Sequence, residues 1–123
     1  MKTAILMAMA EEAQPVIEDF AMLAFSWEGS GKWNKPVYHS EKHEGLYLIL
    51  NGTSKSRPGV TKVGTQAAAI SAYIAIQELG VEHIINAGTA GGFESRSTKV
   101  GDVFLCKSAY YHDRRVPISK DWE

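Results

Sequence analysis

The sequence predicts an α/β layered fold built on a largely parallel or mixed sheet, and three observations carry that prediction. Thr3–Met9 (TAILMAM) is a continuous apolar run of the kind buried in the middle of a parallel sheet. Two long segments, Ala10–Ala24 and Thr61–Leu79, place apolar residues at helical spacing. Strand-like and helical segments alternate along the chain, with no internal repeat or low-complexity tract.

The first strand feeds a helix over Ala10–Ala24, whose apolar face is Ala13, Val16, Ile17, Phe20, Leu23 and Ala24. Glu11 and Glu12 fall in its first turn, where the helix dipole favours anions, and Pro15 belongs near its start. Ser26–Pro36, rich in Gly, Ser, Trp and Lys, reads as a surface loop. Val37–His43 and Leu46–Asn51 then form an antiparallel pair around His43-Glu44-Gly45, with Gly45 as the turn residue. Asn51–Gly59 (NGTSKSRPG) is polar and turn-forming. It leads into a second amphipathic helix, Thr61–Leu79, with Val63, Ala67, Ile70 and Ile74 on its buried side and Gly80 as its C-terminal stop. The strand Glu82–Asn86 follows, then a turn of small residues, a polar loop Glu94–Lys99, and strand-like segments Asp102–Leu105 and Ser108–His112.

The 123 residues, 45% hydrophobic and 22% charged, suit one modest domain with one core. A formal net charge of −1 gives no electrostatic reason to expect nucleic acid or an anionic membrane surface as a partner. The single cysteine, Cys106, excludes an internal disulfide framework and a cysteine-rich zinc site. The apolar run Thr3–Ala10 is too short for a membrane span and enters Glu11 and Glu12, so a cytoplasmic protein is expected.

In folds of this class ligands bind beyond the carboxyl ends of the strands, and three such segments are chemically loaded. They are Met9–Glu12 after the first strand, Asn86–Phe93 (NAGTAGGF) after the central one, and Tyr111–Arg115 after the last. Glu11 and Glu12 read either as helix-start acidity or as a carboxylate that activates water. Ala87–Gly92 reads either as a tight crossover needing positive φ or as a backbone cradle. Its GxxGG spacing is no dinucleotide fingerprint, and it lacks the lysine of a phosphate loop. His112-Asp113-Arg114-Arg115 has no metal-ligand spacing and reads as a solvated strand end, so no metal site is expected.

Taken in order, AMAEEA at 8–13, VGT at 63–65, IINAGTAGGF at 84–93, GDVFL at 101–105 and HDRRVPI at 112–118 closely resemble one family. That family is the 5′-methylthioadenosine/S-adenosylhomocysteine nucleosidases, especially their plant-type branch, within the purine nucleoside phosphorylase superfamily. The resemblance runs over essentially the whole chain. It implies a three-layer phosphorylase/hydrolase-like fold with a central mixed β-sheet. The implied activity is hydrolysis of the N-glycosidic bond of 5′-methylthioadenosine, with S-adenosylhomocysteine left open as a further substrate, adenine being released as part of methionine salvage. It further implies that Glu12 is the carboxylate that binds and activates the attacking water. Thr89, Ala90 and Gly91 match the loop against ribose and base, and Met9, Val60 and Val116 match apolar positions lining the pocket for ribose and the 5′-alkylthio group. No cofactor is implied. The implied partners are a small nucleoside substrate and a second copy of the chain, with the Ala-rich helix and His112–Ile118 as interface candidates.

The resemblance also places the family's general acid, an aspartate in a Ser/Thr-x-Asp segment, and its ribose-holding Met-Glu pair in later segments that these 123 residues lack. Residues 1–123 are therefore expected to be the N-terminal portion of one nucleosidase domain, with little activity by themselves. Two other classes are weighed. Storage relatives of this superfamily keep the fold without the carboxylate that this chain retains at Glu12, and a non-catalytic partner would dock its sheet edge on a longer relative. A phosphorylase would need an early glycine-rich segment to hold phosphate, and Met7–Ala10 contains no glycine.

Overall fold

The structure is a computed structural model that describes residues 1–112. The chain divides into two compact units, Met1–Ala90 and the remainder from Gly91. The first unit contains, in chain order, β1 (Thr3–Met7), α1 (Ala10–Asp19), β2 (Met22–Ala24), β3 (Val37–Ser40), β4 (Leu46–Leu50), α2 (Thr65–Gln77) and β5 (His83–Asn86). The five strands form one mixed sheet in the order β2-β3-β4-β1-β5. β4, β1 and β5 run parallel, with Ile5 opposite Leu48 on one side and Ile85 on the other. β3 runs antiparallel to both its neighbours, β2 and β4.

The continuous apolar run of β1 is explained by two cores, because successive side chains on a strand point to opposite faces. Ala4 and Leu6 pack on the α2 side with Val37, Ile49, Ala75, Leu79 and Val81. Ile5 and Met7 pack on the α1 side with Ala13, Met22, Leu48 and Leu50. A central strand with an apolar layer above and another below cannot alternate with polar residues. The result is helix, sheet, helix: three layers, as the sequence predicts.

The first helix is shorter than its sequence suggests. It stops at Asp19, Ala21 takes a left-handed φ of 45°, and Met22–Ala24 form an edge strand against Tyr38–Ser40. Met22 is buried in the α1-side core, whereas Leu23 and Ala24 are exposed, so the pattern that extends the helix in sequence is here divided between two elements. Pro15 lies inside α1. The second helix starts at Thr65 rather than Thr61, because Thr61 bridges back to Thr53 and Gly64 turns the chain with a φ of 97°. Its buried side is Ser71, Ile74 and Ala75, while Val63 and Ile70 of the expected face are exposed, together with Tyr73 and Ile76. The helix is apolar nearly all round, so its sequence does not single out one side. Gly80, just past its end, has the left-handed φ of 63° that a helix stop favours.

In the second unit Glu94–Arg96 form a single 3₁₀ turn, closed by Ser97 with a φ of 61°. Of the two expected strands Asp102–Leu105 and Ser108–His112, neither is a strand in the described residues, and Val103, Phe104, Leu105, Tyr110 and Tyr111 are exposed. Apolar, β-branched sequence marks a segment able to be a strand, but strand formation requires a neighbour to bond with.

Leu48 is fully buried at the sheet centre, whereas Leu23 on the edge strand is about half exposed. Leu48→Ala is expected to lower unfolding free energy by about 2–5 kcal/mol, and Leu23→Ala by less than about 1 kcal/mol. Urea midpoints of the two variants check this, and equal losses would contradict the placing of Leu48 in a core and Leu23 outside it.

Candidate functional site

The carboxyl ends of the three parallel strands lie along one end of the sheet, and each leads into a different kind of segment. After β1, Ala8 and an extended Met9 (φ −119°, ψ 149°) bring the chain directly into α1. After β4, Asn51 opens a small hairpin over residues 52–62. After β5, Ala87 extends the pairing with β1 by donating its N–H to the Leu6 carbonyl at 3.0 Å, and the small-residue turn begins.

Glu12 is where two of these exits meet. In the first turn of α1 its Oε2 accepts the Met9 N–H at 3.3 Å, one half of a capping box whose other half Met9 cannot supply with an oxygen. Its Oε1 accepts two bonds from a residue 77 positions away, the Thr89 N–H at 2.9 Å and the Thr89 hydroxyl at 2.7 Å. These donors stabilise the ionised form. The Thr89 hydroxyl, then the Thr89 N–H, hold the carboxyl below the ordinary 4.5; the N–H groups of Met9 and Ala8 add to this against a modest opposing effect of burial. Glu11, its neighbour, is exposed.

The structure therefore brings Met9, Glu12 and Thr89 together. Ala90 follows Thr89 and is exposed. Gly91 belongs to the second unit and has open space where a Cβ would stand. Val60 sits on the separate hairpin after β4, about half exposed, with its carbonyl accepting the Ser54 N–H at 2.8 Å. Val116 and the charged segment from Asp113 lie outside the described residues. One sequence expectation is corrected here: the glycines of the turn, Gly88, Gly91 and Gly92, do not have positive φ. Small size is required at Gly92, where a Cβ would collide with the Thr98 side chain, whereas at Gly88 it would meet Glu12 at ordinary contact distance.

Sequence reasoning reached Glu12 and Thr89 as separate residues and missed their direct bond, since no local pattern links positions 77 apart. It also missed Asn51, read only as the edge of a polar loop. Asn51 is buried and donates its N–H to the Met7 carbonyl at 3.3 Å, which ties the hairpin's root to the end of β1.

Among the described residues no group of three or more His, Cys, Asp or Glu side chains could hold a metal ion. No helix among them is long and apolar enough to cross a membrane. The sequence profile of the phosphorylase superfamily matches residues 2–121. The chain belongs to the phosphorylase superfamily. Within it, the chain is 34% identical over 114 residues to a 5′-methylthioadenosine nucleosidase of Arabidopsis thaliana, covering 92% of this chain and 43% of that protein. A 5′-methylthioadenosine/S-adenosylhomocysteine nucleosidase of the same plant is 33% identical over 118 residues, with 92% and 45% covered. The fold superposes on the apo structure of the Arabidopsis thaliana 5′-methylthioadenosine nucleosidase with a TM-score of 0.85 at 32% identity, covering 97% of this chain and 49% of that one. The chain thus spans about half the length of the curated superfamily members it matches.

Because the folded state lowers the Glu12 pKa, the stabilisation it gives is present above about 4.5 and is lost as pH falls through the lowered folded value. Thr89→Val is expected to be less stable than the parent chain at about pH 7, with the gap narrowing by about pH 3. Urea midpoints at both values check this; a gap of constant size would show that the hydroxyl acts by packing and not by holding a carboxylate.

Proposed function

We propose that this chain carries the water-activating side of an N-glycosidic hydrolase acting on 5′-methylthioadenosine, with adenine as the released base. The observation that supports the reading best is the bonding of Glu12. Two carboxylate oxygens offer about four acceptor directions. Thr89 occupies two through Oε1 and Met9 occupies one through Oε2. The Ala8 N–H adds a further contact, and the carboxylate, part-exposed and kept ionised at neutral pH by these donors, is within reach of a solvent water.

In the proposed mechanism the glycosidic bond loosens ahead of nucleophilic attack, and positive charge develops at the sugar's anomeric carbon. Glu12 stabilises that charge, orients the water and accepts its proton as the new C–O bond forms. The small turn Thr89–Gly91 lets backbone approach ribose and base, while Met9 and Val60 supply apolar walls. Val116 is proposed for the same wall. The names of the Arabidopsis relatives support the substrate class, and the retained carboxylate disfavours a storage role.

We place these 123 residues as part of a single nucleosidase domain whose acid and ribose-holding groups come from segments beyond them. In the whole protein we place a homodimer contact on the outer side of α2, where Ile70, Tyr73 and Ile76 are exposed. The cytoplasm is the proposed location.

A chimera tests the reading. The chain is joined to the segment of the Arabidopsis thaliana nucleosidase that follows the matched region, and adenine release from 5′-methylthioadenosine is followed. The chimera is expected to be active and its Glu12→Gln variant slower by about 10²–10⁴-fold, while the 123-residue chain alone stays near background. A folded chimera whose activity survives Glu12→Gln would contradict the assignment.

A further inference from the structure

The mechanism leaves one buried polar cluster unused, and it lies at the root of the hairpin that carries Val60. Lys35, in the loop between β2 and β3, sends its ammonium group toward α2 and the end of β4. Its Nζ donates to the Ser71 hydroxyl at 2.8 Å, the Ala67 carbonyl at 2.9 Å and the Asn51 carbonyl at 3.4 Å. Ser71 is fully buried, and its hydroxyl in turn donates to the Asn51 side-chain oxygen at 2.8 Å. Burial, with Lys62 nearby, pulls Lys35 down to about 8, so at neutral pH the ammonium form still predominates among these acceptors.

The same loop grips the hairpin a second time. Asn34 Nδ2 donates to the Thr53 carbonyl at 3.0 Å, and Gly52, with a φ of 73°, lies so close to the Asn34 carbonyl that a Cβ would collide with it. Beyond this grip the hairpin is held by its own short bridge, Thr53 with Thr61, and by the Lys62 N–H to the Gly52 carbonyl at 2.9 Å. Asn51 is thus a hub. Its N–H bonds β1, its carbonyl bonds Lys35 and its side chain bonds α2.

We propose that Lys35 is a positioning residue which, through Asn51 and Ser71, fixes the hairpin of residues 52–62 and with it the Val60 wall of the nucleoside pocket. The wall's role rests on the nucleosidase reading above; the fixing of the hairpin does not. Lys35 never touches the substrate. It acts on selectivity, because Val60 is assigned to the end of the pocket that takes ribose and the apolar 5′ substituent, not to the base. Removing the amine takes a donor from the Asn51 carbonyl at the root of the hairpin and from the Ser71 hydroxyl and Ala67 carbonyl of α2.

The test uses the 123-residue chain. Amide hydrogen exchange by NMR is compared for the parent, Lys35→Met and Ser71→Ala, and weak binding of 5′-methylthioadenosine and of adenine is followed in the same samples by chemical-shift titration. In Lys35→Met the amides of residues 53–62 are expected to exchange about tenfold faster, the loss of roughly one hydrogen bond's worth of protection, with β1 and β4 unchanged. Affinity for 5′-methylthioadenosine should fall severalfold while that for adenine holds. Ser71→Ala removes the hydroxyl between Lys35 and the Asn51 side chain but leaves the direct bond of Lys35 to the Asn51 carbonyl, so it should show a smaller change in the same segment, which decides the question if Lys35→Met does not fold. Unchanged exchange over 53–62 in a folded variant would overturn the proposal. Faster exchange with an unchanged preference for 5′-methylthioadenosine would overturn the link to the pocket wall. If the parent chain binds neither compound at millimolar concentration, the exchange data decide whether Lys35 fixes the hairpin, and the preference for 5′-methylthioadenosine over adenine is read on the chimera that carries the later segments.

Discussion

A single carboxylate joins two parts of the chain that no local interaction could bring together, and the arrangement of the candidate site depends on that bond. Glu12 accepts both donors of Thr89 while its other oxygen holds the Met9 N–H, so the start of α1 and the turn after β5 are braced across the end of β1. Such bonds to a charged group are stronger than neutral ones. They also fix the orientation of the carboxylate. The brace exists because β1 is the central parallel strand: with β4 on one side and β5 on the other, its exit is adjacent to both neighbouring exits.

That central position has a sequence requirement of its own. β1 must be apolar on both faces, since Ala4 and Leu6 serve one core while Ile5 and Met7 serve the other. The α1 layer buries a helix that begins with its acidic residues at the site, and the α2 layer buries only one side of a helix that is apolar nearly all round. Ile70, Tyr73 and Ile76 consequently face outward. Ile84 and Ile85 of β5 are also exposed, and among the described residues β5 pairs with β1 alone. Exposed apolar surface of this kind is what a contact with further protein surface would cover.

Much of the layer order was legible in the sequence because its signals are local. A five-residue apolar strand, a helix opening on two glutamates and a hairpin turning at Gly45 each follow from neighbouring residues. The end of α1 was not legible, because Phe20, Leu23 and Ala24 fit helical spacing as well as they fit a turn and a short strand. The late segments around Val103 and Tyr110 were misread for a different reason: a strand is defined by its neighbour, and sequence alone does not supply one. At the site, the identities of Met9, Glu12 and Thr89 came from a resemblance over several ordered motifs, but the bond between Glu12 and Thr89 came only from the fold. The root of the hairpin, with Lys35, Asn51 and Ser71, carried no motif at all. It is visible only as four hydrogen bonds converging from three segments.

The central claim is that Glu12, held by Thr89, faces a bound nucleoside. Carboxylate-labelled NMR of this chain, following the Glu12 signal as 5′-methylthioadenosine is added, tests it most directly. The account predicts a saturable shift of the Glu12 carboxyl signal that the Glu11 signal does not share. A Glu12 signal that stays still while the nucleoside binds elsewhere on the chain would contradict it.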